Sequence, residues 1–381
     1  LKILFLSHTD SNLYRFRLPV MIALVKEGHQ VVALVPKGEC FEKFSKHNIK
    51  AINYLIQRSS LNPLKALKTI QNIAEILKQE KPDIIHTFML KPNIYGSFAA
   101  KIAGIPYVIN SLTGLGSFYI QKSLKTTLLR ILIEKLNFFA FKIAKKVLFQ
   151  NQDDLNLYVQ KGLVPREKTI LIKGSGIDTA LFSPFSQDEI QQTRKNLKIP
   201  QDKIIILMVA RAILHKGIKE YYQAAKIITR QNPKILFLYI GGIDNGNIAP
   251  ITQDFLESNP QVHYLGEKDN IKEWIGICDI FVLPSYREGI PRTLLEAGSM
   301  AKPIITTNAV GCKEVVEEGK NGFLVPIGES EILAQKILEL SCNQALREQF
   351  GKNSQEKIRK EFSVETIVES YLKLYKEVKN V

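Results

Sequence analysis

Apolar runs of four to six residues alternate along the chain with stretches that repeat at helical spacing. Lys2 to Leu6, Gln30 to Val35, Pro82 to His86, Tyr107 to Asn110, Lys146 to Gln150 and Ile170 to Ile172 read as strands. Between them lie a helix entered through Leu13–Pro19 and ending near Gly28, helices over 64–79 and 93–103, and a long amphipathic stretch from Ser123. The segment Gly174–Ser175–Gly176–Ile177–Asp178 to Pro184, with the polar run to Pro200, reads as a linker. A second series follows, with strands at 204–209, 235–240, 262–265, 280–283, 303–306 and 323–325. Its helices fall at 217–230, 270–276, 293–300, 313–317 and 329–341, and a last one at 363–378. Strands that alternate with helices predict parallel sheets covered on both faces. The fold class expected is therefore α/β, two doubly wound Rossmann-like domains facing a cleft. The domains are 1–180 and 181–362, with 363–381 a helix that packs back on the first.

Such folds bind ligands at the carboxyl ends of their strands. The first turn here, Ser7–His8–Thr9–Asp10–Ser11–Asn12, is a polar loop without glycine. That excludes a dinucleotide fingerprint at this position and argues against hydride transfer. No apolar run reaches the length of a spanning helix, and the first residues read as a strand, not a leader. Cys40, Cys278, Cys312 and Cys342 have no metal spacing and read as reduced thiols of a cytosolic protein.

Charge changes the picture. The formal net charge is +15, and residues 1–180 hold 26 Lys and Arg against 12 Asp and Glu. A basic half predicts an anionic partner. No nucleic-acid motif is present, so phosphorylated substrate or anionic lipid is the expected partner, with a general basic bias of the source's proteins as the alternative. From Lys122 to Lys146 there are seven basic residues and one acid, Glu134, among leucine, isoleucine and phenylalanine. The 122–149 segment therefore reads either as an interfacial membrane helix or as a core helix with a solvated basic face.

Two stretches of the second half carry candidate chemistry. Arg287 to Ala297 follows the apolar strand Ile280–Leu283 and enters a helix through Pro291. Glu288 and Glu296 flank that helix start, which offers unpaired N–H groups to an anion. The pattern suits a ligand with phosphate and many hydroxyls, and it also suits an ordinary capped helix. Arg211, Lys216 and Gly217 lie just past the strand 204–209. A forked cation and a point cation at that place suit a diphosphate.

Arg211-x4-Lys216–Gly217, Ile240–Gly241–Gly242, Tyr264–Leu265–Gly266, Phe281–Val282–Leu283–Pro284–Ser285 and Glu288-x7-Glu296 occur in this order. Together with His86 to Asn93 and Gly176–Ile177–Asp178 to Pro184, they resemble the family 4 retaining glycosyltransferases of the GT-B fold over nearly the whole chain. Phe5 to His8, Tyr14 to Arg17, Ser60 to Pro63, Gly114 to Ile120 and Ala210 to Gly217 resemble more closely the branch that builds lipid-linked sugars for bacterial protein N-glycosylation. That resemblance implies UDP-GalNAc as donor and undecaprenyl-diphosphate-linked diacetylbacillosamine as acceptor. It also implies a peripheral position on the cytoplasmic face of the inner membrane, with 122–149 on the anionic surface. Arg211 and Lys216 would hold the donor diphosphate, helped by Pro291 and the Thr293 and Leu294 amides. Glu288 would contact the transferred sugar, with Gly289, Ile290 and Arg292 beside it. Glu296 would hold the ribose, and Gly242 and the turn at Gly266–Lys268 would lie by the nucleotide.

The chain has no Asp-x-Asp, and the cation pair predicts a reaction without metal or other cofactor. Two positions depart from the family. Glycines common after the first strand are absent, and Thr113 stands where many relatives have His, so no catalytic His is carried over. His8, His86 and Lys91 keep open roles. Rival readings are a related transferase using UDP-GlcNAc or UDP-Gal in lipopolysaccharide or capsule synthesis, a GT-B epimerase, and a non-catalytic nucleotide-sugar sensor.

Overall fold

The computed structural model describes residues 1–57, 62–116, 119–120, 123–244 and 249–379. Ser60, Leu61, Ser117, Phe118 and Lys122, which carry part of the motifs above, lie outside the described residues, as do 380–381 and the Lys125 side chain. The chain divides into two compact units, Leu1–Gly176 with Val364–Val381, and Ile177–Ser363.

The first unit is built on seven parallel strands among the described residues: β1 Lys2–Leu6, β2 Gln30–Leu34, β3 Lys50–Ile52, β4 Ile84–Phe88, β5 Tyr107–Leu112, β6 Lys146–Phe149 and β7 Thr169–Leu171. Their order is β3-β2-β1-β4-β5-β6-β7. Every residue of β4 is buried, as a parallel strand covered on both faces requires. Helices α1 Asp10–Phe16, α2 Leu18–Lys26, α3 Pro63–Glu80, α4 Leu90–Ala103, α5 Leu124–Ile143 and α6 Gln152–Gln160 form the crossovers. The polar turn after β1 is shorter than the sequence reading gives. The Thr9 hydroxyl accepts from the Asn12 amide and starts α1 at Asp10. The three-residue β3 and the polar α6 gave no periodic signal.

The second unit begins with α7 Gln187–Asn196, where a linker was expected to run on to Pro200. A reciprocal capping box between Ser186 and Glu189 nucleates this polar helix. Six parallel strands follow, β8 Ile204–Val209, β9 Ile235–Ile240, β10 Val262–Tyr264, β11 Ile280–Leu283, β12 Ile304–Thr307 and β13 Gly322–Val325, in the order β10-β9-β8-β11-β12-β13. Around them lie α8 Ile218–Thr229, α9 Gln253–Glu257, α10 Ile271–Ile277, α11 Arg292–Ser299, α12 Ser330–Cys342 and α13 Gln344–Glu361. The helix expected at 313–317 is a series of turns instead. Gly311 leads into it at φ +80°, and a Cβ there would stand 2.3 Å from the Gly289 carbonyl oxygen. The segment is shaped by that close approach, not by helical propensity.

The last helix, α14 Val364–Lys379, returns to the first unit and packs on α2. Ile367, Tyr371, Leu374 and Tyr375 join the core formed by β1, β2 and β4. The Tyr375 hydroxyl meets His86 Nδ1, and His86 Nε2 lies 2.7 Å from the Ser111 hydroxyl. Burial, reinforced by the nearby Arg17, lowers the His86 pKa well below its usual value, so the ring is neutral and needs both partners. Tyr375→Phe would leave a buried ring nitrogen unpaired, at a cost of about 1–3 kcal/mol. Urea unfolding should show a lower midpoint with an unchanged slope. An unchanged midpoint would mean the contact carries no net stability.

Candidate functional site

In the second unit the strand order reverses between β8 and β11. Connections on the two sides of that point run in opposite directions and leave a crevice at the carboxyl ends of the strands. Two loops meet there, Ala210 to Gly217 after β8 and Pro284 to Pro291 after β11. A 3-10 turn, Leu214–Lys216, ends on Gly217 at φ +76°. A Cβ at Gly217 would lie 2.0 Å from the Pro284 carbonyl oxygen, so only glycine lets the loops touch. The Tyr286 amide donates to the His215 carbonyl at 2.8 Å. The Ser285 hydroxyl lies 3.0 Å from that carbonyl and 2.8 Å from Glu288 Oε1.

The contact brings Lys216 Nζ onto Glu288 Oε1. Both side chains are largely buried, at 19% and 13% exposure. The Glu288 amide donates to the Val310 carbonyl at 2.9 Å, and this fixes the acid from its backbone as well. Cys312 lies nearby; burial pushes its thiol up to about 12, so it stays neutral beside the pair.

Arg211 leaves β8 on the same side and is paired with Asp244, Nη1 to Oδ2 at 2.6 Å. The guanidinium is 61% exposed, so the pair contributes little to stability. Gly241 and Gly242 follow β9. A Cβ at Gly241 would stand 1.7 Å from the Ala210 carbonyl oxygen, and the Gly242 carbonyl accepts from the Ala212 amide at 2.8 Å. These bonds tie the β8 and β9 loops together. Gly266 adopts φ +71°, and Lys268 beyond it is exposed.

Helix α11 starts at the buried Pro291, with no side-chain cap. The Leu294 amide donates to the Pro291 carbonyl at 3.1 Å, so it is shared with the helix's own first turn. Thr293 is half-buried, and Ile290 packs on the core of the unit. Glu296 is buried and accepts from Arg292 Nε at 3.0 Å. Burial raises its pKa, and Arg292 only partly opposes the rise.

Lys216 and Glu288, placed on the same ligand by separate motifs, are thus in direct contact. Glu296 is held one helical turn further in, and Lys268 stands at the outer rim. Three participants escaped the sequence reading. Asp244 has no motif, although its place just past β9 was a usable signal. Ser285 was visible only as part of an apolar strand motif. Glu220, which accepts from the Tyr286 hydroxyl at 2.8 Å, lies on α8 and gave no signal. His215 adds a buried Nε2 with no partner among the described residues. Burial and then Lys216 lower its pKa, which keeps the ring neutral. Among the described residues no cluster of three or more His, Cys, Asp or Glu could hold a metal ion. The arrangement offers two cations to a diphosphate, and two acids to hydroxyl groups around it.

The family model for glycosyl transferases group 1 matches residues 189–357, and that for glycosyl transferase 4-like proteins matches 2–151. The chain is 36% identical to N,N'-diacetylbacillosaminyl-diphospho-undecaprenol alpha-1,3-N-acetylgalactosaminyltransferase of Campylobacter jejuni, over all of both chains. It is 26% identical to UDP-Gal:alpha-D-GlcNAc-diphosphoundecaprenol alpha-1,3-galactosyltransferase of Escherichia coli, over 83% of this chain and 81% of that one. Its fold matches the crystal structure of Anabaena HepE in complex with UDP and glucose, with TM-score 0.80 and 21% identity over 99% of this chain and 100% of that one. The chain belongs to the family 4 glycosyltransferases of the GT-B fold, and it is a sugar-transferring enzyme.

Proposed function

We propose that the enzyme moves N-acetylgalactosamine from UDP-GalNAc to undecaprenyl-diphosphate-linked diacetylbacillosamine, with retention and without a metal, for bacterial protein N-glycosylation. The observation that carries this reading is the 36% identity to the Campylobacter jejuni enzyme, which runs the full length of both chains.

The site chemistry supports it. Glycosyl transfer leaves a diphosphate that gains negative charge while the sugar carbon becomes cationic. Groups aimed at the departing diphosphate act mostly in the transition state. Arg211 can exchange Asp244 for the diphosphate at small cost, because its present pair is exposed. Lys216 is held in place by Glu288, which leaves its other N–H donors for phosphate oxygens. Glu288 then serves the transferred sugar with its second oxygen, beside the Gly289 to Arg292 backbone. Glu296 takes the ribose hydroxyls, and Pro291 opens the helix toward the phosphates. Gly242 and Lys268 lie by the nucleotide. No side chain is needed as a covalent nucleophile, since a same-face, ion-pair-like path uses the departing diphosphate itself.

The first unit takes the acceptor, at the cytoplasmic face of the inner membrane. Helix α5 exposes Leu124, Leu128, Ile131, Leu132 and Phe139, with Lys135 and Lys142 in the same stripe. Ile133, Ala140 and Phe141 on the opposite face are buried. A stripe of leucines with lysines among them fits an anionic bilayer surface. No described helix is long and apolar enough to cross a membrane.

A donor screen with EDTA present, using diacetylbacillosamine-diphosphate-undecaprenol and mass detection, tests the reaction. UDP-GalNAc should give product, and Arg211→Ala should slow it by about 100-fold or more. Product from UDP-Gal or UDP-GlcNAc instead would overturn the donor assignment, and loss of activity in EDTA the metal independence. Flotation with vesicles containing anionic lipid tests the surface. Lys135→Glu with Lys142→Glu should release the protein, and an equal bound fraction would remove α5 from that role.

Glu296 gives a pH-dependent prediction. Its raised pKa means the folded state holds the proton more tightly than the unfolded chain does. Ionisation therefore costs stability, increasingly so as pH rises from the ordinary carboxylate range through the folded-state pKa. Glu296→Gln should melt higher than the wild type at pH 8, by about 2–4 °C per kcal/mol. The gap should close at about pH 4. The same variant should bind UDP more weakly, and a variant with neither change would show that the acid is neither strained nor used.

A further inference from the structure

Glu288 is clamped through its main chain, but its carboxylate is held at one oxygen only. Its amide donates to the Val310 carbonyl at 2.9 Å, and a Cβ at Gly311 would stand 2.6 Å from its carbonyl oxygen. The backbone is therefore fixed from both sides, while the carboxylate can still turn about the bonds of a long side chain. What holds it acts on Oε1: the Lys216 ammonium, and the Ser285 hydroxyl at 2.8 Å. Oε2 takes no hydrogen bond among the described residues, which leaves it for a ligand.

Ser285 is fully buried, and its backbone is fixed too. The Thr307 hydroxyl donates to its carbonyl, and the Thr306 hydroxyl to the Leu283 carbonyl at 2.6 Å, both from β12. The next residue is pinned through the Tyr286 hydroxyl, which donates to Glu220 on α8 at 2.8 Å. The Ser285 hydroxyl thus has a set place but a choice of partner. It carries one proton and faces two acceptors, Glu288 Oε1 at 2.8 Å and the His215 carbonyl at 3.0 Å. That carbonyl also accepts from the Tyr286 amide at 2.8 Å, so it keeps a donor whichever way the proton turns.

We propose that Ser285 is a positioning residue for the transfer step, and that it takes over Glu288 when the donor diphosphate engages Lys216. In the free enzyme the ammonium balances the carboxylate. A bound diphosphate brings negative charge to the same ammonium and weakens its hold on Oε1. The Ser285 proton then turns wholly to Oε1, because a hydrogen bond to an ionised acceptor is stronger than one to a neutral carbonyl. Glu288 keeps its direction, and Oε2 stays aimed at the sugar while positive charge develops on the reacting carbon. A hydroxyl suits this work better than a second cation, since it orients the carboxylate without cancelling its charge.

This rests on the proposed role of Glu288 at the transferred sugar, and a double-mutant cycle separates the two. Ser285→Ala, Glu288→Ala and the double variant are compared with the wild type as full-length enzymes. The cycle is run with UDP-GalNAc, or with whichever of UDP-Gal and UDP-GlcNAc the donor screen selects, so a wrong donor assignment does not decide it. Ser285→Ala should lower kcat about 10–100-fold, the expected cost of a lost bond to a charged group, with donor KM and the Kd for UDP unchanged. A loop merely loosened would weaken UDP as well, because the contact between the two loops sets Lys216. In the Glu288→Ala background Ser285→Ala should cost nothing further. Equal losses in the two backgrounds, or a Kd for UDP that rises as kcat falls, would overturn the positioning role alone. If Glu288→Ala keeps the wild-type kcat, the proposed role of Glu288 fails and that of Ser285 with it.

Discussion

The close approach of Gly217 to the Pro284 carbonyl is the constraint on which the candidate site depends. At that distance no side chain can stand at 217. The contact sets the β8 loop against the β11 loop, and the Lys216–Glu288 pair follows from it. Lys216 precedes the glycine and Glu288 follows the proline by four residues, so closing the loops pairs them. Ser285 and the Tyr286 amide both turn to the His215 carbonyl and lock the arrangement with polar bonds. Preorganisation of this kind matters for transfer chemistry. A lysine already held in position loses little further freedom when a diphosphate arrives. Arg211 is the opposite case. It lies exposed with a partner that it can leave, so it supplies charge and reach, while Lys216 supplies a fixed point.

The sequence carried much of this and missed the rest for identifiable reasons. Buried parallel strands announce themselves as short apolar runs, so β1, β8, β9 and β11 were legible to within a residue or two. Helices α7 and α13 were not, because their residues are mostly polar and few face a core. Only the Ser186–Glu189 box marks α7, and it was absorbed into an expected linker. At the site, Arg211, Lys216, Glu288 and Glu296 were legible because each sits at a strand end or helix start where polar residues need a reason. Their pairing was not. Lys216 and Glu288 are 72 residues apart, and nothing in spacing says that the two loops touch. Asp244 is a short acid in a glycine-rich turn, the commonest place for an acid with no function.

The two units solve the same problem with opposite electrostatics. At its strand-order reversal the second unit brings cations and carboxylates together, Lys216 with Glu288 and Arg211 with Asp244, so a polyhydroxylated, phosphorylated ligand finds both kinds of partner. A cavity at the carboxyl ends of the first unit's strands is lined by Lys91, His8, Thr113 and mainly apolar side chains, with no carboxylate in its lining among the described residues. Of the +14 of residues 1–180, Lys91 is the part that lines this cavity.

Some departures from local rules fall at these same places. Met89 adopts φ +78° without being glycine, at the end of β4. Glu296 is a carboxylate buried against its own preference at the start of α11. His215 keeps a buried nitrogen unpaired among the described residues. Each costs stability where it stands, on the order of 1–3 kcal/mol for backbone strain or an unmet polar group. The departures at the carboxyl ends of β4, β8 and β11 stand where a ligand can satisfy them, whereas Asn48, Lys81, Lys198 and Ala301 hold positive φ elsewhere. The buried acid then has a donor to gain and the unpaired imidazole a partner.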